Sequence, residues 1–127
     1  MTEAPRPPRT PHPRKPVRGS ATGRPLMAAL DLFGRRWTLR ILWELREQAL
    51  GFRPLQQRCD GMSSSVLRQR LTELQEARLV EHDTAGDYRL TPLGRDASKE
   101  LRGLHQWSER WAAALEQAPS DNSDAQP

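Results

Sequence analysis

The sequence predicts a mainly helical domain with one small β-hairpin, an α+β class in which the sheet is a minor part. Three observations carry that expectation. Apolar residues recur at helical spacing through most of the middle of the chain. One short alternating stretch, Leu79–Asp83, returns as Tyr88–Leu90 across a turn containing Gly86. The apolar residues of a 127-residue chain that is 35% apolar and 28% charged suffice for one modest core. That core falls in residues 26–118. Residues 1–25 hold six Lys/Arg against one acid and seven of the eleven prolines, which reads as a disordered basic arm. Residues 119–127, PSDNSDAQP, read as a disordered acidic tail.

The elements follow in order. Leu26, Leu30 and Phe33 share a face of a first short helix that Gly34 closes. Trp37, Ile41 and Leu45, four apart with Leu39 and Leu42 beside them, give a second helix over about 36–47 with a broad apolar stripe. Pro54 suits the first turn of a third helix, and Gly61 ends it by taking a left-handed position. Ser63 then caps a fourth helix, Ser63–Ala77, whose core face is Leu67, Leu71 and Leu74. The two short strands and their turn follow. Thr91-Pro92 starts a last helix, about 92–117, with Leu101, Leu104, Trp107, Trp111 and Leu115 on a wide stripe.

Several function classes are disfavoured at once. No window approaches 18 uninterrupted apolar residues and the first residues lack a signal-peptide core, so a cytoplasmic, nucleoid-associated protein with no membrane role is expected. The single cysteine, Cys59, leaves no disulfide framework and no cysteine-only metal cage, and metal ligands are expected to be none. His12, His82 and His105 are far apart and no catalytic or nucleotide-binding motif occurs, so neither an enzyme nor a cofactor is expected.

The net charge of +4 favours a polyanionic partner, and its placement sharpens that. Residues 35–70 hold eight Arg against three acids, whereas 71–118 hold six basic residues against nine acids. On the fourth helix, opposite its leucines, fall Ser64, Ser65, Arg68, Gln69 and Thr72, with no carboxylate before Glu73. Short polar side chains at a helix N-terminus followed by Arg and Gln suit a major groove: serines and amides meet phosphates while Arg and Gln address guanine and adenine edges. An ordinary solvated helix face has the same polarity. Ser63, Arg35, Arg36, Arg53, Arg58, Arg70 and Arg89 are the candidate contacts to DNA backbone, Arg89 being the only cation of the hairpin. Three helices, a polar-faced fourth, a two-stranded wing and a final helix make the layout of a winged helix-turn-helix.

The residues carry a family resemblance as well. Leu30-Asp31-Leu32-Phe33-Gly34, Arg36-Trp37, Ile41 to Leu45, Gly61-Met62-Ser63, Ala77 to Val80, Tyr88, Leu90-Thr91 and Leu93-Gly94-Arg95 resemble, in order and spacing over roughly residues 25–111, the HxlR-type bacterial regulators, relatives of the MarR and ArsR groups. The resemblance implies a homodimeric DNA-binding regulator, usually a repressor, with the first and last helices forming the interface. Leu26, Leu30, Leu101, Leu104, Trp107, Trp111 and Leu115 are then the interface residues. It also implies a sensor cysteine before a proline ahead of the first helix in redox-responsive members, but here Arg24 precedes Pro25. The wing is shorter than the family's, and the arm around Arg14, Lys15 and Arg18 is expected to substitute for it in part on DNA. The expected partners are double-stranded DNA, a second copy and an unidentified small-molecule effector. A winged helix used as a protein-interaction module, or a non-specific DNA-binding protein, is the competing reading.

Overall fold

The structure is a computed structural model that describes residues 10, 11, 13 and 24–124. The reading of the remaining arm as disordered, and the roles given to Arg14, Lys15 and Arg18, lie outside the described residues. The element order is α1 (Pro25–Phe33), α2 (Thr38–Glu44), β1 (Leu50–Gly51), α3 (Phe52–Arg58), α4 (Ser64–Glu76), β2 (Val80–His82), β3 (Asp87–Leu90) and α5 (Pro92–Asp124). This is the winged helix-turn-helix order, with one more strand than expected.

Helix α1 starts on Pro25, whose fixed φ and missing N–H suit a first turn. It buries Ala28 and Leu32 and leaves Leu26 and Leu30 exposed. Gly34 caps it in a right-handed conformation, so glycine is required by space: a Cβ there would lie 2.8 Å from the Leu30 carbonyl oxygen. Helix α2 is shorter than the predicted 36–47 because Trp37 takes a left-handed φ of 77°, which turns the chain sharply before Thr38. Its Ile41, Leu42 and Leu45 are buried with Leu55, Leu67, Leu71, Leu74 and Leu90 in one core.

The sheet has three strands in the order β1-β3-β2, all antiparallel, rather than the two that alternation predicts. Strand β1 is two residues long, too short to show a period, and pairs Leu50 with Tyr88 and Gly51 with Asp87. The wing turn is closed by the Asp83 side chain, which accepts from the Asp87 N–H at 2.9 Å, with Gly86 at a φ of 93°. That backbone hydrogen bond holds the Asp83 carboxyl below the usual carboxylate range.

A joint at Thr91 ties the wing to the helices. The Thr91 N–H donates to Leu79 O at 3.0 Å, its hydroxyl donates to Arg78 O at 2.7 Å, and the same oxygen accepts from the Gly94 N–H at 3.0 Å. The last of these bonds caps the start of α5. Gly94 is packed so closely that a Cβ would fall 2.0 Å from Leu79 O. Helix α5 runs past the expected end near 117 to Asp124, because extending an existing helix costs far less than starting one and needs no burial, the property composition reports.

Two glycines of α5 predict opposite outcomes in chemical denaturation. Gly94→Ala forces backbone to move and lowers stability by about 1–3 kcal/mol. Gly103→Ala, where a Cβ meets nothing within 4 Å, raises stability by roughly 0.5–1 kcal/mol.

Candidate nucleic-acid interface

The start of α4 is set by the turn before it. Asp60 and Gly61 adopt consecutive left-handed conformations at φ 58° and 67°, which only Gly, Asn and Asp tolerate readily. The Gln56 side-chain amide donates to Met62 O at 2.9 Å, and Met62 is buried, so α3 and α4 are locked at their shared corner. Ser63 is the N-cap, its hydroxyl accepting from the Val66 N–H at 3.1 Å.

From that cap α4 buries Leu67, Leu71 and Leu74 and turns Ser64, Ser65, Arg68 and Gln69 to solvent. Thr72 is half-buried and its hydroxyl donates to Arg68 O at 2.9 Å, the local bond of a helical threonine. The Arg68 guanidinium lies over the Phe52 ring at 4.6 Å, which holds it beside the first turn of α3 and its exposed neighbour Arg53. On the other flank, Gln69 and Arg36 share the rim of a concavity of about 610 Å³ between α1 and α4. The five side chains expected to read bases therefore lie on one helix, with Arg53 on one side and Arg36 on the other.

The remaining backbone candidates are engaged within the protein. Arg35 meets Glu73 at 2.9 Å and Asp31 at 3.2 Å. Arg70 meets Glu73 at 3.1 Å and donates through Nε to Arg36 O at 2.8 Å. Arg58 lies 3.7 Å from Glu44, which also pairs with Arg40 at 2.9 Å. In the wing, Arg89 pairs with Glu81 at 2.9 Å across the strands. Sequence reasoning passed over Glu73, the only acid among the described buried residues, and treated it as the end of the polar face. The Arg70–Glu73 spacing of three and the Asp31–Arg35 spacing of four are the signal that was present. The Thr10 hydroxyl lies 3.3 Å from Glu73 O and 2.9 Å from the Glu76 carboxylate, so part of the arm rests on the later turns of α4.

Cys59 lies in the core, and burial pushes its thiol up to about 11. The residues expected at a dimer interface divide. Leu26, Leu30, Leu104, Trp107, Trp111 and Leu115 are about half exposed or more, and Trp107 and Trp111 stack at 5.6 Å, whereas Leu101 packs partly onto the core.

Two measurements check this geometry. Glu73→Gln leaves two guanidiniums facing an uncharged amide and lowers stability by about 1–3 kcal/mol in urea titration, discounted because both arginines retain some solvent. Cys59 in the native protein at pH 8 reacts with an aromatic disulfide reagent roughly a hundred-fold or more slower than in denaturant, since its thiolate fraction falls by about two decades.

Comparison with known proteins agrees with this layout. The chain is 27% identical over 92 residues to an HTH-type transcriptional regulator of Methanocaldococcus jannaschii, covering 69% of this chain and 86% of the relative. It superposes with a TM-score of 0.65 on a MarR-family transcriptional regulator from Enterococcus faecalis, at 26% identity over 72% of this chain and 89% of that one. It also matches the quinone-bound structure of YodB from Bacillus subtilis, with a TM-score of 0.60, 27% identity, and coverage of 70% and 96%. The HxlR-like helix-turn-helix pattern matches residues 32–116, about two-thirds of the sequence, and the chain belongs to that family of transcriptional regulators.

Proposed function

We propose that the protein is a homodimeric, sequence-specific transcriptional repressor that lays α4 in the major groove of an inverted-repeat operator. The observation that carries this reading is the N-terminal face of α4. From Ser64 to Gln69 it is solvent-facing, with Thr72 half-buried beyond; it is free of carboxylates to that point and flanked by exposed Arg36 and Arg53, while Glu73 is turned inward against Arg35 and Arg70. Arg68 and Gln69 read base edges. Arg36, Arg53 and the Ser63–Ser65 end of the helix hold phosphates, and Arg35 and Arg70 act by fixing the helix. The repressor sign is the family's usual mode.

The exposed stripe on α5 and α1 supports the dimer. Leaving Trp107, Trp111 and Leu115 about half in water is costly for a monomer, and a two-fold partner covers them. Such a dimer sets two α4 helices about 34 Å apart, one turn of DNA. The wing contributes little charge, since Arg89 is paired and the turn carries Asp83 and Asp87, which favours the basic arm as the second contact. A small-molecule effector is part of the proposal, by analogy with the relative whose structure holds quinone. A thiol switch is not, because Arg24 stands where the sensor cysteine would be and Cys59 is buried.

Fluorescence anisotropy against the upstream intergenic duplex and a scrambled duplex, at two salt concentrations, tests the reading. Arg68→Ala and Gln69→Ala each cost roughly 1–3 kcal/mol on the specific site and leave the scrambled duplex nearly unchanged, whereas Arg53→Ala weakens both and lowers the salt slope by about one. Equal, salt-sensitive binding to both duplexes would establish a non-specific protein and move the interaction-module reading forward. In sedimentation the wild type is a dimer at micromolar concentration and Trp107→Glu with Trp111→Glu is a folded monomer.

A further inference from the structure

Helices α2 and α5 leave between them an open groove of about 870 Å³, within the size range of small-molecule sites. Its floor is apolar, built from Leu39, Trp43 and Leu104, each more than a third exposed. Arg95, Lys99 and Arg102 line it from α5, and none of the three side chains has an ion pair or hydrogen bond among the described residues. The other cations of the lining are occupied: Arg40 holds Glu44 and Asp60, and Arg46 holds Glu47, the only acid among the described lining residues, at 3.6 Å.

The floor is also held in place. The Arg46 guanidinium sits 3.7 Å from the Trp43 ring centroid and the His105 ring 4.9 Å from it, so the indole is clamped from two elements and offers a fixed apolar edge. A preorganised apolar floor beneath three uncompensated cations selects a ligand that is apolar in body and negative at one end. None of the α4 residues that face DNA lines it.

We propose that this groove binds an organic carboxylate with an apolar body. The carboxylate meets Arg95, Lys99 and Arg102 and the body covers Trp43, Leu39 and Leu104. A second copy is the less suitable occupant: the stripe of Trp107, Trp111 and Leu115 that a partner would cover lies outside the lining, and the groove offers three unpaired cations with no free acid to receive a partner's own basic face. The proposal rests on the effector reading only for its consequence on DNA, because α5 joins the wing and α4 at Thr91 and so links the groove to the DNA-facing helix.

The test uses the full-length protein with decanoate and 2-naphthoate as probes, and decanol and 2-naphthalenemethanol as their uncharged counterparts, followed by calorimetry and tryptophan fluorescence. At least one carboxylate binds, perturbs tryptophan emission and outcompetes its uncharged counterpart by ten-fold or more. Lys99→Glu combined with Arg102→Glu weakens it at least ten-fold with an unchanged far-UV spectrum. Trp43→Leu removes most of the emission change while Trp107→Phe does not. No binding by either carboxylate, equal affinity for the uncharged analogues, or indifference to the charge reversal would overturn the site. Binding that leaves operator affinity unchanged would sink the effector reading and leave the site standing.

Discussion

A single buried carboxylate sets where α4 lies. Glu73 is almost wholly out of water, and it is stable there because two guanidiniums, Arg35 from the end of α1 and Arg70 one turn back on α4, share its charge. Asp31 holds the first of these and the Arg36 carbonyl holds the second, so the network reaches from α1 to the middle of α4. It does two things together. It fixes the rotation of α4 about its axis, and it turns one carboxylate of the helix inward, away from the Ser64–Thr72 face. The leucines of α4 bury that helix, but hydrophobic contact alone is tolerant of small rotations. Directional ionic hydrogen bonds are not.

The rest of the interface builds out from that fixed helix. Ser63 and the left-handed pair Asp60-Gly61 place its first turn, and Phe52 under Arg68 orients the side chain best suited to guanine. At the other end, Thr91 bonds to both Arg78 and Leu79, so the start of α5 is tied to the segment that joins α4 to the wing. Charge follows the same division: the exposed cations beside α4 face outward, while the wing neutralises its own arginine.

Most of the architecture was legible in the sequence because its signals are local. Ser63 as a cap, Pro25 and Gly34 at the ends of α1, the leucine period of α4, the Gly86 turn and the order of elements all follow from spacing or from single-residue conformational preferences. What escaped was set by contacts distant in sequence. Strand β1 exists because β3 lies beside it, and two residues have no readable period. Trp37 takes a left-handed conformation because the turn between α1 and α2 demands one, and nothing about tryptophan announces it. The candidate site was legible as a list of residue types, since Ser64, Ser65, Arg68 and Gln69 do share an exposed face. Which arginines are available was not legible: composition counts Arg35, Arg58 and Arg70 with Arg53, and only the positions of Glu73 and Glu44 separate them.

The central claim is that this face of α4 meets base edges in the major groove. Its most direct measurement replaces individual guanines of a selected operator duplex by 7-deazaguanine, which removes one major-groove acceptor without altering the phosphates. Affinity is expected to fall at guanines in two clusters one helical turn apart, with no further loss at those positions when Arg68→Ala is used. Full affinity on every substituted duplex, with binding still sensitive to salt, would contradict it.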